Sequence, residues 1–207
     1  MSYIGKAPAN SALTADDITD GIIGADKLAT NSVTTVKVSN ANITSGKLAS
    51  GVIPTNTPAF RANLSGAQSI SADTATKVAF ATEAFDSDGK YDTSNYRFTP
   101  TIAGKYLIYV RIGYQEHNTG AGSLTDQAGL YSRIYVNGSA VADVGNHSAV
   151  SSLQGVISAV STAIVTLDNN DYVEAFTLQQ GNTSSQAANL LANVAYNEFS
   201  GFKLIGV

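Results

Sequence analysis

Residues 76–114 read TKVAFATEAFDSDGKYDTSNYRFTPTIAGKYLIYVRIGY. Thr76-Lys77-Val78-Ala79-Phe80 alternates polar and apolar side chains, as a strand with one buried face does. Asp88-Gly89 and Ser94-Asn95 are turn dipeptides ahead of Tyr96-Arg97-Phe98-Thr99. Gly104 then precedes a long strand, Lys105 to Tyr114, apolar and aromatic throughout. Downstream the grammar repeats. Arg133-Ile134-Tyr135-Val136 meets Ala140-Val141-Ala142 across Asn137-Gly138-Ser139, a strong hairpin signal. Val156 to Leu167 is another apolar run, and Asp168-Asn169-Asn170-Asp171 turns it into Tyr172 to Phe176. Leu190 to Ala195 and Phe199 to Val207 are the last strand candidates. About eight to ten strands without a helical pattern make a sandwich or jelly roll.

Composition agrees. Only 14% of the 207 residues are charged, against about 25% in an average soluble domain. Ser (22), Thr (20) and Asn (16) take their place, with 18 Gly; these are weak helix formers and good turn formers. There is no cysteine, hence no disulfide, thiolate metal site or cysteine nucleophile. Two histidines, His117 and His147, are too few for a multi-histidine metal site. A net charge of -4 and a pI near 5.0 give no basic footprint for nucleic acid. No apolar run is long enough for a membrane span, and MSYIGKAPAN lacks the apolar core of a signal peptide. A structural or binding protein is therefore expected rather than an enzyme, with no cofactor.

Residues 1–57 differ from 58–207. The first region holds one aromatic residue, Tyr3, and four Lys against four Asp; the second holds the other sixteen aromatics and the whole net charge. The first region also repeats: LTADDITDGI (13–22), IGADKLATNS (23–32), VTTVKVSNAN (33–42), ITSGKLASGV (43–52). Slot one is Leu13, Ile23, Val33, Ile43; slot six is Ile18, Leu28, Val38, Leu48; slot five is Asp17, then Lys27, Lys37 and Lys47. Four copies in register mark a fibrous or solenoid-like element. Apolar residues five apart alternate faces on a strand and rotate by about 140° on a helix, so neither forms a single stripe. The expected unit is a short extended piece and a single turn, closed by a permissive residue such as Gly21, Asn31 or Gly51. A one-turn helix capped by Ser, Thr or Asp would precede Lys-Leu-Ala. The lysines read as a solvated outer face. Each unit has too few apolar side chains to offset its own ordering entropy, but several chains wound together could bury them. Pro54 and Pro58 bracket a short linker.

The second region resembles the head of complement C1q and the wider C1q-like and tumour-necrosis-factor superfamily. Its signature is matched at Phe80, Asp86, Tyr91, Phe98, Gly104 and Tyr106 with the family's spacings. Ile108 and Val110 stand where the family prefers aromatics. Phe199-Ser200-Gly201-Phe202-Lys203-Leu204 resembles its closing strand and Pro58-Ala59-Phe60-Arg61-Ala62 its opening strand. Val136-Asn137-Gly138 and Asp171-Tyr172-Val173 also sit where the family has such residues. The resemblance implies an all-β, ten-stranded jelly roll that assembles as a compact homotrimer. MSYIGKAPAN and the Lys-Leu-Ala decamers resemble the start of virion fibre proteins of marine bacteriophages. Together the two resemblances imply a trimeric appendage on the particle's exterior: an extended repeat stem that docks another virion protein, and a C1q-like knob.

Little suggests catalysis. His117, in QEHNTG, and His147, in NHS, read as exposed loop residues, and no Gly-x-Ser-x-Gly elbow is present. Asp86-Ser-Asp88-Gly-Lys-Tyr-Asp92 resembles part of a calcium loop but lacks its remaining ligands, so these read as turn and strand residues. Some C1q-like heads bind calcium, and an ion at the trimer axis has no assignable residue here. Of four glutamates, Glu83, Glu116, Glu174 and Glu198, three sit in or beside strands and are expected on the outer sheet surface. Tyr106, Tyr109, Phe176 and Phe202 are expected in the core or a trimer interface. The candidate receptor-facing loops are 115–127, 143–152 and 179–189, rich in amides and hydroxyls suited to sugars. They carry Gln115, Glu116, His117, Asn118, Asp126, Asn146, His147, Gln179 and Asn182. The expected function is a virion fibre or appendage engaging a host-surface glycan or protein receptor by avidity. The alternative is a capsid, head or neck decoration protein without a receptor. A depolymerase and a secreted C1q-like protein are further readings, the latter weakened by the absent signal peptide.

Overall fold

The computed structural model describes residues 16, 18–40, 42–49, 52, 56–115, 128–148, 156–180, 188–192 and 195–205. The chain divides into two compact units, Met1–Ile53 and Pro54–Val207, at the first of the two linker prolines.

The first unit repeats its hydrogen bonds every ten residues. Ile22, Ser32, Asn42 and Val52 donate their backbone N–H to Thr19, Ala29, Ser39 and Ala49, closing one turn per decade. Between them sit single-turn 3₁₀ helices, Ala25–Lys27, Thr35–Lys37 and Ser45–Lys47. Gly21 and Asn31 take φ of 77° and 63°, where Gly and Asn pay the least strain. The expected side-chain caps are absent at Gly24 and Thr34, which precede the first two helices in extended conformation. The slot-five lysines are exposed, and two of them also reach back five residues. Lys37 Nζ donates to Ser32 O at 2.7 Å and Lys47 Nζ to Asn42 O at 3.0 Å. Most apolar slots stay uncovered: Ile18, Ile23, Leu28, Val33 and Ile43 are exposed, while Val38 and Leu48 are half-buried; Val36, between slots, is 93% exposed.

The second unit is a two-sheet sandwich with thirteen strands among the described residues. They are β1 (Ala59–Asn63), β2 (Gln68–Ile70), β3 (Thr76–Lys77), β4 (Thr82–Asp86), β5 (Tyr91–Asp92), β6 (Arg97–Phe98) and β7 (Gly104–Gln115). There follow β8 (Ala128–Val136), β9 (Ser139–Ser148), β10 (Ile157–Leu167), β11 (Val173–Gln180), β12 (Ala188–Leu190) and β13 (Glu198–Lys203). In the first sheet β10 pairs with one edge of β7 along its length, and β13 and β12 take successive stretches of the other edge. β1 and β4 lie beyond β13, and β2 lies beyond β12. The second sheet runs β5-β6-β11-β8-β9, with β3 also on β11. Every pairing between named strands is antiparallel.

The count exceeds the expected ten because several strands are short pieces. β4 escaped the sequence reading because four of its five residues are exposed, so it shows no alternation. The strand expected over Leu190–Ala195 is β12, which ends at Leu190. The Asn137-Gly138 hairpin forms as expected, with φ of 52° and 78° and Val136 opposite Ser139.

β7 shows why this sequence makes this core. Tyr106, Ile108, Val110, Ile112 and Tyr114 are fully or almost fully buried, while Leu107, Tyr109 and Arg111 occupy the opposite face. Around Tyr106 the rings form one cluster centred on Phe60. Phe98 lies 4.4 Å from it, Phe199 4.8 Å and Tyr91 5.2 Å; Phe80 and Tyr106 join through Phe199 and Phe98 at 5.9 Å. The matched aromatics are thus a single contact network. The two tyrosine hydroxyls are satisfied inside it, Tyr91 donating to Phe80 O and Tyr106 to Ile102 O. Gly201 belongs to the cluster for lack of room: a Cβ there would lie 2.8 Å from Ile108 Cδ1 and 3.0 Å from the Phe60 ring.

Buried polar groups link the sheets. Ser132 Oγ donates to Val110 O at 3.1 Å, Ser161 Oγ donates to Ser132 O, and Tyr114 OH donates to Tyr131 O at 2.9 Å.

Candidate functional site

Three expected receptor loops can be located by the strands that flank them. Gln115 pairs with Asn189, and Tyr114 pairs with both Ile157 and Leu190. Gly129 pairs with both His147 and Gln180, and Ala128 with Ser148. The ends of β7, β9 and β11 and the starts of β8, β10 and β12 therefore converge on one end of the sandwich. Glu116, His117, Asn118, Asp126 and Asn182 lie outside the described residues.

Four loop assignments need correction. Gln115 is the last residue of strand β7, paired with Asn189, not the first of a loop. Asn146 and His147 belong to strand β9, which continues to Ser148 because β8 pairs with it throughout. Asn146 is exposed, and its Nδ2 donates to Ser158 O at 3.2 Å, tying β9 to β10. Gln179 lies in β11 opposite Leu130 and is 2% exposed. It falls on the same face of β11 as the buried Val173, Ala175 and Thr177, so alternation along the strand carries it inward, while Gln180 is exposed.

A second correction concerns Glu174. Expected on the outer surface, it is buried, and Lys77 Nζ donates to its carboxylate at 2.5 Å. Asp86, the first residue of the calcium-like stretch, accepts from the backbone N–H of Asp88 and Tyr91 at 3.2 and 2.5 Å. Its two oxygens thus close the turn. Among the described residues no group of three or more His, Asp or Glu is placed to hold a metal ion.

The open face of the first sheet has a defined pattern. Ile164, Leu107 and Phe202 fall in one cross-strand row, and Val160, Arg111 and Glu198 in another. Ile164 is 64% exposed. Glu198 Oε2 lies 3.2 Å from Arg61 Nη2 and 3.7 Å from Arg111 Nη2, and Ser200 Oγ donates to its other oxygen. Tyr109 and Phe202 are half-buried on this face; Phe176 packs instead on Tyr135 at 4.2 Å, outside the core.

At the end of the sandwich opposite the loop bases, an open cleft of about 350 Å³ lies between the β5–β6 hairpin, residues 99–101 and the β10–β11 turn. Lys90, Asp92, Arg97, Thr99, Thr101 and Asn169 line it. The Arg97 guanidinium sits 5.1 Å above the Tyr172 ring. Asp92 accepts from Asn95 Nδ2 at 2.7 Å and from the backbone N–H of Ser94 and Asn95. The Asn95 bonds above all hold its carboxyl below the usual range. The sequence showed both turns but not that they face one another.

No protein-family model and no curated protein matches the chain. Solved structures do. Murine APRIL at pH 5.0 is 13% identical, covering 70% of this chain and 98% of its own, with a TM-score of 0.50. The globular domain of zebrafish complement 1qA is 14% identical over 71% and 97%, with a TM-score of 0.46. Eiger TNF from S. frugiperda is 15% identical over 72% and 93%, also at 0.46. The superposition on murine APRIL carries the conclusion, which concerns the fold alone: Pro54–Val207 has a C1q/TNF-like jelly-roll fold.

Proposed function

We propose that the chain is a homotrimeric bacteriophage virion protein, a fibre or appendage whose repeat forms a stem and whose jelly-roll head adheres to a host-surface receptor. The observation that carries this reading is the uncovered repeat. Every decade closes the same turn, and the first slot of the last three, Ile23, Val33 and Ile43, is exposed each time, as are Ile18 and Leu28 at slot six, whereas Val38 and Leu48 are half-buried. A single copy leaves these side chains in water, whereas parallel copies in register would cover them at the same spacing. The open face of the first sheet, with Ile164 and Val160 exposed beside Leu107 and Phe202, offers the head a matching surface for its own copies. Loop bases gathered at one end of the sandwich favour presentation of three loop sets together, with avidity across copies.

The test is the solution mass of the purified chain, paired with antibody against residues 58–207 imaged on particles from the source. A mass near 64 kDa, three times 21.4 kDa, with label at the tail or neck supports the proposal. Label spread over the capsid replaces adhesion with decoration. A monomer with no labelled particle overturns both.

A further inference from the structure

We propose that the cleft between the β5–β6 hairpin and the β10–β11 turn binds an anionic sugar residue, its carboxylate on Lys90 and Arg97 and its hydroxyls on Thr99, Thr101 and Asn169. The inference deepens the adhesive reading and rests on it only for the source of the sugar.

The charge argument comes first. Among the described residues Arg61, Lys77, Arg111 and Arg133 each have a carboxylate partner; Lys90 and Arg97, like Lys105 and Lys203 in the same unit, take part in no ion pair, and they are the two that line this cleft. The acid beside them, Asp92, stands opposite Arg97 in the hairpin and feels its charge but forms no ion pair with it, its oxygens being engaged by Ser94 and Asn95, so the three groups leave the cleft a net positive charge. Two cations therefore flank a concave surface in a chain whose net charge is -4. That overall charge disfavours a long polyanion and favours one acidic group in one place.

Preorganisation follows. The cation–π contact with Tyr172, 5.1 Å from ring centroid to guanidinium carbon, restricts the Arg97 side chain at the cleft, and a guanidinium offers a carboxylate two parallel N–H donors. The geometry suits a carboxylate.

The lining settles the rest of the ligand. Two hydroxyls and an amide sit beside the cations, with no exposed aromatic platform. A bare anion would leave these groups unused, and an apolar ligand would strand them. A hydroxyl-bearing ring uses all of them. The volume, about 350 Å³, is at the small end of ligand sites.

The test is titration calorimetry of the full chain with a glucuronate-containing oligosaccharide, its neutral glucose counterpart and a sulfated oligosaccharide. The glucuronate sugar is expected to bind at least about tenfold more tightly than the neutral one and to weaken with added salt. Lys90→Gln and Arg97→Gln should each cost about tenfold with the melting temperature held. Asn169→Ala, on an exposed turn, should weaken binding with no change in fold and serves if Arg97→Gln melts early. Equal binding of acidic and neutral sugars, binding only of the sulfated sugar, glucuronate binding that survives both charge variants, or no glucuronate binding would each overturn the assignment. Adhesion of the intact protein to host cells is measured separately, so loss of the cleft and loss of the adhesive reading give different results.

Discussion

The side-chain amide of Asn137 donates to the carboxylate of Asp171 at 2.6 Å, while its oxygen accepts from the backbone N–H of Tyr172 at 3.0 Å. Asn137 N–H also donates to Tyr172 O at 3.0 Å. One residue thus clamps the β8–β9 hairpin to the β10–β11 turn, and Tyr172 in turn lies under Arg97 at the cleft. Asn137 holds φ of 52°, a conformation Asn tolerates better than most residues. Asn137→Ala removes two side-chain bonds and adds strain. The expected cost is about 1–3 kcal/mol, read as a lower melting temperature. Binding at the cleft should weaken too, because the ring beneath Arg97 loses its anchor.

The same clamp predicts acid sensitivity. Asp171 is held below the ordinary carboxyl range, first by the Asn137 amide and then by the Asp168 backbone N–H. Asp92 is lowered too, by Asn95. A depressed native value means the unfolded chain binds more protons as pH falls. The stabilisation is complete above the unfolded carboxyl value near pH 4 and is lost as pH drops through the lower native values. Urea unfolding across this range should show a falling acid limb. Asp171→Asn should flatten that limb and lower stability at neutral pH; an unchanged limb would show that the clamp does not act through charge.

How far the sequence reached depends on which signal each element carried. Phe80, Tyr91, Phe98 and Tyr106 were legible because burial imposes fixed residue types at fixed spacing, and they join one ring cluster around Phe60 and Phe199; Asp86 was legible as a turn residue, its carboxylate accepting from Asp88 and Tyr91, and Gly104 because its φ of 156° favours glycine. The decamer was legible because turn chemistry repeats. β4 was not, since an exposed strand has no alternation. Gln179 and Glu174 misled because a polar side chain is read as exposed: Gln179 falls on the inward face of β11 with Val173, Ala175 and Thr177, while Glu174, on the opposite face, is covered and matched by Lys77. The cleft joins Lys90 to Asn169 across the sandwich end, a juxtaposition that topology alone creates.

Gly201 tests the aromatic core. A Cβ at this position would meet Ile108 Cδ1, Leu107 O and the Phe60 ring, all within 3.0 Å. Part of that wall is backbone and part a stacked ring, so neither yields cheaply. Gly201→Ala should destabilise the head by about 1–3 kcal/mol, seen as an earlier denaturant midpoint with an unchanged slope. Full stability would mean the β13–β7 packing is looser than the distances indicate.

Ile164 tests the open face. It is 64% exposed in the single chain and stands in a row with Leu107 and Phe202, next to the row of Val160, Arg111 and Glu198. If copies of the head bury this face, Ile164→Asp places an unpaired carboxylate in each copy of the contact. Losing one buried isoleucine costs about 1.5–3 kcal/mol, and the stranded charge adds to it in every copy at once. Light scattering on the eluting protein should then give a mass near 21.4 kDa with far-ultraviolet dichroism retained. Ile102→Asp, an exposed site in the turn before β7, is the control and should leave the mass unaltered. An Ile164→Asp chain that keeps the mass of the unmodified protein would place the contact between copies elsewhere, and the uncovered decamer repeat would be the surface to examine next.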